Sequence, residues 1–262
     1  MRIINHSLVT AQLYADTARA LADTAFSSIE YRPETESTNA DAAGMLGDER
    51  RGGHTIVAGY QRHGMGRKGR TWEADPESAL LFTTILPNDI DAENLWLVPF
   101  WTALAVSDAL RVFGIGTLLQ WPNDILLDGR KLAGILCLSQ VNGKRARAAC
   151  GVGINVHRTN DTIAGAASCD DVSPVEKAAL LAAILRRFDE TATLFERPGN
   201  VIALWEAAST IPGARYRIAP DNAPTPFDAV AVALESGGAL RVRRDDATIT
   251  RVEIADARVL RQ

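Results

Sequence analysis

The stretch that decides the fold is Gln61-Arg62-His63-Gly64-Met65-Gly66-Arg67-Lys68-Gly69-Arg70-Thr71-Trp72. Gly64, Gly66 and Gly69 alternate with the cations Arg62, Arg67, Lys68 and Arg70. Glycine lets a backbone turn through positive φ and approach a ligand closely. Guanidinium groups grip phosphate or carboxylate oxygens through paired hydrogen bonds. A loop of this composition is suited to folding over a polyanion. The spacing also satisfies G-x-G-x-x-G, but that pattern is read by its context. HTIVAGY (54–60) before it reads as a strand. TWEADPESALLFTTIL (71–86) after it, with Pro76, reads as loop and then strand. A dinucleotide loop instead opens a helix whose N-terminus holds the pyrophosphate. The fold implied is strand, cationic loop, returning strand. From this stretch alone, a solvated basic loop with no ligand remains an open reading.

Composition narrows the classes. The chain has 262 residues, 47% hydrophobic and 23% charged, with a net charge of −4 and a pI near 5.6. That is enough for one sizeable core and a smaller domain. An acidic chain has no general excess of cations for nucleic-acid phosphates, so its one basic cluster points to a local anion site. Cys137, Cys150 and Cys169 are widely spaced, and His6, His54, His63 and His157 lack zinc-ligand spacing; the thiols read as reduced. Neither a basic-then-apolar leader nor a long apolar run is seen, so a cytoplasmic, non-membrane protein is expected.

The rest of the chain surrounds the loop with a sheet. QLYADTARALADTAF (12–26) reads as an amphipathic helix. In ETESTNADAAGML (34–46), Thr35, Ser37 and Thr38 precede an alanine-rich helix. Two readings stand: the hydroxyls cap the helix, or they and Asn39 face a polar ligand. ALLFTTIL (79–86) is the returning strand. Residues 95–113 have helical periodicity, with Pro99 in the first turn. Asp128-Gly129 and Asn142-Gly143 mark hairpins of an antiparallel meander over 117–156. Within it, WPND (121–124) joins two strands, and Asn123 and Asp124 suit a turn. Lys131 enters the otherwise uncharged LAGIL, where an ammonium needs a partner, a ligand or a route to water. Gly134, Gly151 and Gly153 lie inside strands and permit close approach. PVEKAALLAAILRRFDETATLF (174–195) reads as a helix with Ser173 as N-cap and Pro174 at N1, and 199–208 as a shorter one. Beyond Pro212, proline-rich APDNAPTPF (219–227) and the short runs DAVAVALE, ALRVRR, TITRVE and ARVL, with a Gly237-Gly238 turn, suggest a small β-barrel.

These blocks together resemble the biotin–protein ligase family. The matching residues are STN (37–39), YQ with GMGRKGRTW (60–72), WPND (121–124), RKLAGIL (130–136) and GVGIN (151–155), in the family's order. The resemblance implies an α+β fold: a mixed central sheet flanked by helices, like the class II synthetases, over 1–210, then an SH3-like barrel over 211–262. It implies ATP-dependent activation of biotin as biotinyl-5′-AMP, and transfer to a lysine of a biotin carboxyl carrier protein or domain. ATP, Mg²⁺ and biotin are the expected small molecules.

Carried over by residue, Ser37, Thr38, Asn39 and Gln61 would surround the biotin ureido ring. Gly64, Met65, Gly66 and Arg67 would cover biotin and the acyl phosphate, with Lys131 and Gly134 beside them. Arg67, Arg70, Trp72, Asn123, Asp124, Lys131 and Asn155 would take ATP, with Trp72 against adenine and Asp124 toward the metal. Arg67 and Lys131 would be catalytic. Two positions depart from the pattern: Met65 stands where the family usually has arginine, and Gln120 where lysine often precedes WPND. Each removes a cation from the phosphate side. Too few residues precede Ser37 for a winged helix, so transcriptional control is not expected. A lipoate-type ligase, a non-catalytic biotin or adenylate binder and a nucleic-acid module are the competing readings. No nucleic acid and no membrane are expected as partners, and the chain leaves monomer and homodimer open.

Overall fold

In the computed structural model, the structure describes residues 2–159, 165–221, 225–254 and 257–260. The first half runs α1 (Arg2–Ala20), β1 (Ser28–Arg32), α2 (Thr38–Ala43), β2 (His54–Ala58), β3 (Ala79–Ile85) and the short β4 (Ile90–Asp91). Then come α3 (Leu97–Val112) and the meander β5 (Leu118–Gln120), β6 (Asp124–Leu127), β7 (Arg130–Asn142) and β8 (Arg145–Asn155). Two helices follow, α4 (Lys177–Thr191) and α5 (Pro198–Ala207). The strands β9 (Arg215–Pro220), β10 (Phe227–Leu234), β11 (Leu240–Arg244), β12 (Ile249–Val252) and β13 (Ala257–Leu260) end the chain.

The first eight strands form one sheet in the order β1-β2-β3-β8-β7-β6-β5, with β4 beside β8. β1 lies parallel to β2 and all other pairings are antiparallel, so the sheet is mixed. The last five strands form an antiparallel sheet, β12-β11-β10-β9-β13. This is the α+β architecture expected, with a small second sheet of the SH3-like kind.

Period-two alternation positions everything else. β3 is buried on both faces. Leu80 and Phe82 join the main core, where α3 and α4 pack and Trp101 stacks on Phe188 at 4.4 Å. Each fully buried large side chain there contributes about 1.5–3 kcal/mol. Ala79, Leu81, Thr83 and Ile85 take the opposite face. Ala79 and Leu81 pack with Trp72 from the loop, and Ile85 packs with Ala42 and Leu46 at α2. Between those contacts the sheet face stays open, and the site lies there.

Several sequence expectations need correcting. α4 starts at Lys177, and its N-cap is Glu176, whose side chain accepts the Ala179 N–H, so Ser173 and Pro174 lie upstream. The second hairpin turns on Gly143-Lys144, because Asn142 still pairs with Arg145; Gly143 supplies the positive φ of 61°. The first helix runs Arg2–Ala20, so it begins earlier than its periodicity suggested and stops short of residues 21–26. β1 and β9 were not anticipated; β9 takes Ala219 and Pro220 out of the proline-rich turn, and 222–224 of that turn lie outside the described residues.

Candidate active site

A cavity of about 400 Å³ opens on the free sheet face. Its polar wall comes from Ser37, Thr38 and Asn39 at the start of α2 and from Gln61 after β2. Met65, Gly66, Arg67 and Arg70 of the cationic loop roof it, and Gly134 of β7 with Gly151 and Gly153 of β8, overlaid in part by Trp72, floor it. Asn123, Lys131 and Asn155 close the far end. Gly64 and Asp124 are not part of the lining.

The floor is glycine for a steric reason. Gly134 and Gly153 are paired across β7 and β8, and the Trp72 indole lies on them. A Cβ at Gly153 would stand 2.6 Å from Trp72 Cε2, and one at Gly134 would stand 3.0 Å from Cζ3. A Cβ at Gly151 would come within 2.1 Å of Asn39 Oδ1. The ring on which adenine was expected to stack thus covers the sheet itself, with its Nε1 buried and without a hydrogen-bond partner among the described residues.

The loop is a miniature hairpin. Trp72 N–H donates to Gly64 O at 2.8 Å and Gly66 N–H to Arg70 O at 2.7 Å. A Cβ at Gly64 would meet Trp72 O at 2.3 Å, so that glycine serves the stem of the loop. Lys68 at the tip takes φ 56° and Gly69 φ 72°. Met65 is half exposed and turns no charge inward.

The capping reading of the α2 start is not what the structure shows. Ser37 is the N-cap residue but makes no side-chain cap bond, and Thr38 and Asn39 bond sideways. Thr38 N–H donates to Gln61 Oε1 at 2.7 Å, and Asn39 Nδ2 donates to Leu136 O at 2.9 Å. Capping is not what these side chains do.

At the far end, Lys131 Nζ pairs with Asp124 Oδ1 at 2.7 Å and sits 5.4 Å from the Trp72 ring centroid. The carboxylate explains how an ammonium tolerates this largely buried place. Asn123 holds the WPND turn to β7: its Nδ2 donates to Ile135 O at 2.7 Å, and its backbone O accepts from Ile135 N–H at 3.0 Å. Asn155 Nδ2 donates to Ala167 O at 3.0 Å. Arg67 lies near Asn123 Oδ1 at 3.5 Å and donates to the Ile254 carbonyl. Burial first, and then the charge of Arg70, lower the proton affinity of Arg67. A guanidinium so under-neutralised favours an incoming anion. Arg67 and Lys131, from separate elements, face one cavity.

Sequence reasoning missed Thr83 behind the wall, and Leu136 and Ala166 in the lining. Thr83 was signalled only by its parity with Ala79 and Leu81. Among the described residues, no group of three His, Cys, Asp or Glu side chains is placed to hold a metal. No helix there is long and apolar enough to cross a membrane.

Fold and floor define a mixed-sheet α+β protein that offers one open sheet face to a small ligand beneath a cationic loop. Residues 31–155 match the biotin/lipoate A/B protein ligase family. Among curated relatives, the biotin–[acetyl-CoA-carboxylase] ligase of Paracoccus denitrificans is 36% identical over 145 residues, covering 54% of this chain and 59% of that protein. The bifunctional ligase/repressor BirA of Bacillus spizizenii is 32% identical over 133 residues, covering 50% and 41%. The chain spans about half the length of the curated relatives it matches. The fold is also that of a biotin protein ligase from Aquifex aeolicus solved with biotin and ATP: TM-score 0.72 and 21% identity, over 90% of this chain and 99% of that one.

Proposed function

We propose that the protein is a biotin–protein ligase: it joins biotin to AMP at the expense of ATP and passes the biotinyl group to a lysine of a biotin carboxyl carrier domain. The observation that carries this reading is the convergence of Arg67 and Lys131 on one cavity whose opposite wall is polar and uncharged. A carboxylate is a poor acyl donor, because its leaving group would be oxide. In the first step its oxygen attacks the α-phosphorus of ATP and pyrophosphate departs. Two anions must meet, and fixed cations beside the developing phosphoryl charge are the main catalytic device. Arg67 and Lys131 take that role, with Arg70 toward the pyrophosphate. Ser37, Thr38, Asn39 and Gln61 receive the ureido head, and the loop shields the mixed anhydride from water. In the second step the lysine amine attacks the acyl carbon, AMP leaves and the amine gives up a proton.

Mg²⁺ enters with ATP in this reading, because that ion is commonly held by substrate phosphates and one or two carboxylates. Asp124, paired with Lys131 just outside the lining, would be the carboxylate to hold it, with Glu73 in the lining itself. The division into a catalytic part over 1–210 and a barrel over 211–262 belongs to the same proposal. So do a cytoplasmic location and the absence of nucleic-acid and membrane partners.

The test is incubation with ATP labelled at the α-phosphate and either biotin or lipoate. Biotinyl-AMP from the first and nothing from the second is expected. Lipoyl-AMP as the main product would move the protein to the lipoate branch, and binding of biotin without adenylate would make it a receptor.

A further inference from the structure

The polar wall is held from behind by a side chain that does not line the cavity. Thr83 is fully buried on β3. Its Oγ lies 2.7 Å from Asn39 Oδ1 and 2.8 Å from Thr38 Oγ. Thr38 Oγ lies in turn 3.0 Å from Gln61 Oε1. Both ends of this row are fixed as oxygens. Asn39 uses its Nδ2 on Leu136 O, so Oδ1 is the end turned to Thr83. Gln61 Oε1 accepts the Thr38 backbone N–H, so oxygen faces the hydroxyl there too.

Three oxygen–oxygen contacts therefore run between two groups that only accept. Each hydroxyl brings one proton, so two protons serve three gaps. Asn39 Oδ1 has no other donor among the described residues, and a buried acceptor without one is costly; it takes the Thr83 proton. The Thr38 proton goes to Gln61 Oε1, and the contact between the two hydroxyls is left to the Thr83 proton, which Thr38 Oγ shares with Asn39 Oδ1. Toward the cavity, Thr38 then presents lone pairs only.

We infer that Thr83 is a positioning residue that makes Thr38 and Asn39 hydrogen-bond acceptors toward the ligand, so that the wall selects an acid whose head carries N–H donors. The inference rests on the biotin-activating reading above: a ureido ring brings two N–H groups, and a dithiolane brings none.

Steady-state ATP–pyrophosphate exchange tests it. Thr83→Val keeps the shape and removes the hydroxyl. It is expected to raise KM for biotin about tenfold, the scale of one unsatisfied buried polar group, with KM for ATP unmoved. Thr83→Ser should restore the wild-type value. Thr38→Val should lose a similar factor, and the Thr38→Val/Thr83→Val pair little more than either alone, since both act through one hydrogen-bond row. An unchanged KM for biotin in Thr83→Val overturns the inference, as does an equal rise in both KM values, which marks a merely structural role. A wild-type protein without biotin-dependent exchange overturns the functional reading and this inference with it. Intact wild-type exchange with an indifferent Thr83→Val overturns this inference alone.

Discussion

Lys68, at the tip of the cationic loop, is ion-paired with Asp221 just past β9, and its neighbour Arg67 donates to the Ile254 carbonyl beyond β12. The roof of the cavity is thus fastened to the second sheet. The pair is part-exposed, with side chains 17% and 48% accessible, so it supplies at most about 1 kcal/mol. Asp221→Asn is expected to quicken amide exchange across 64–70 of the ligand-free protein by up to about fivefold. Exchange that does not change would show that the loop is held by other contacts.

Lys131→Ala is expected to cut acyl-adenylate formation by at least about a hundredfold, the scale of losing one preorganised charge-stabilising group. The same change strips Asp124 of its 2.7 Å partner in a place where its side chain is 13% exposed, so Tm should also fall. Lys131→Ala/Asp124→Asn should recover Tm and stay inactive. Recovery of adenylate in the double variant would reduce Lys131 to a counter-ion.

Gly153→Ala would drive a methyl into the Trp72 indole. Overpacking of this kind costs about 1–3 kcal/mol, and the displaced ring would also narrow the cavity. Chemical denaturation and biotin titration should both report the loss. Gly116→Ala is the control, since a Cβ there meets nothing within 4 Å. Equal behaviour of the two variants would mean that the indole does not rest on the sheet in solution.

Acid should act through Asp171. Burial alone would raise this carboxyl, but Ser168, Arg158 and Arg130 outweigh it and bring the group down to about 2. Its Oδ2 accepts from Arg130 at 2.8 Å, which anchors the segment beside Lys131. A carboxyl whose folded pKa lies below its unfolded one, near ~3.9, stabilises fully above that value and loses its contribution as pH falls toward 2. Asp171→Asn should therefore lower stability at neutral pH and flatten the decline between about pH 4 and 2. A variant with the wild-type acid slope would refute the assignment.

Much of this molecule is legible in local signals. The Asp128-Gly129 turn, the meander and the cationic loop are each specified by neighbours in sequence; of the loop's glycines, Gly69 takes the positive φ expected, while Gly64 makes room for the loop's own stem. What escaped is what local rules share. Ser173-Pro174 satisfies the same capping rule as a true helix start, yet Glu176 closes the helix. β9 ends on Pro220, and a proline at a strand end reads as turn. Gly151 was visible as a gap, but not that Asn39 fills it. Thr83 meets Thr38 and Asn39 from more than 40 residues away, and no propensity or spacing carries that information.

Trp121, the first residue of WPND, is fully buried and donates through Nε1 to Gly238 O at 2.9 Å, while Tyr216 Oη accepts its backbone N–H at 3.2 Å. The anchor of the turn behind Asn123 is therefore supplied by residues 95 and 117 positions further along the chain. Because chains emerge N-terminus first, the pocket is expected to mature only once Gly238 has cleared the ribosome. A nascent chain halted short of that point would carry every loop residue and still lack a finished far end of the cavity.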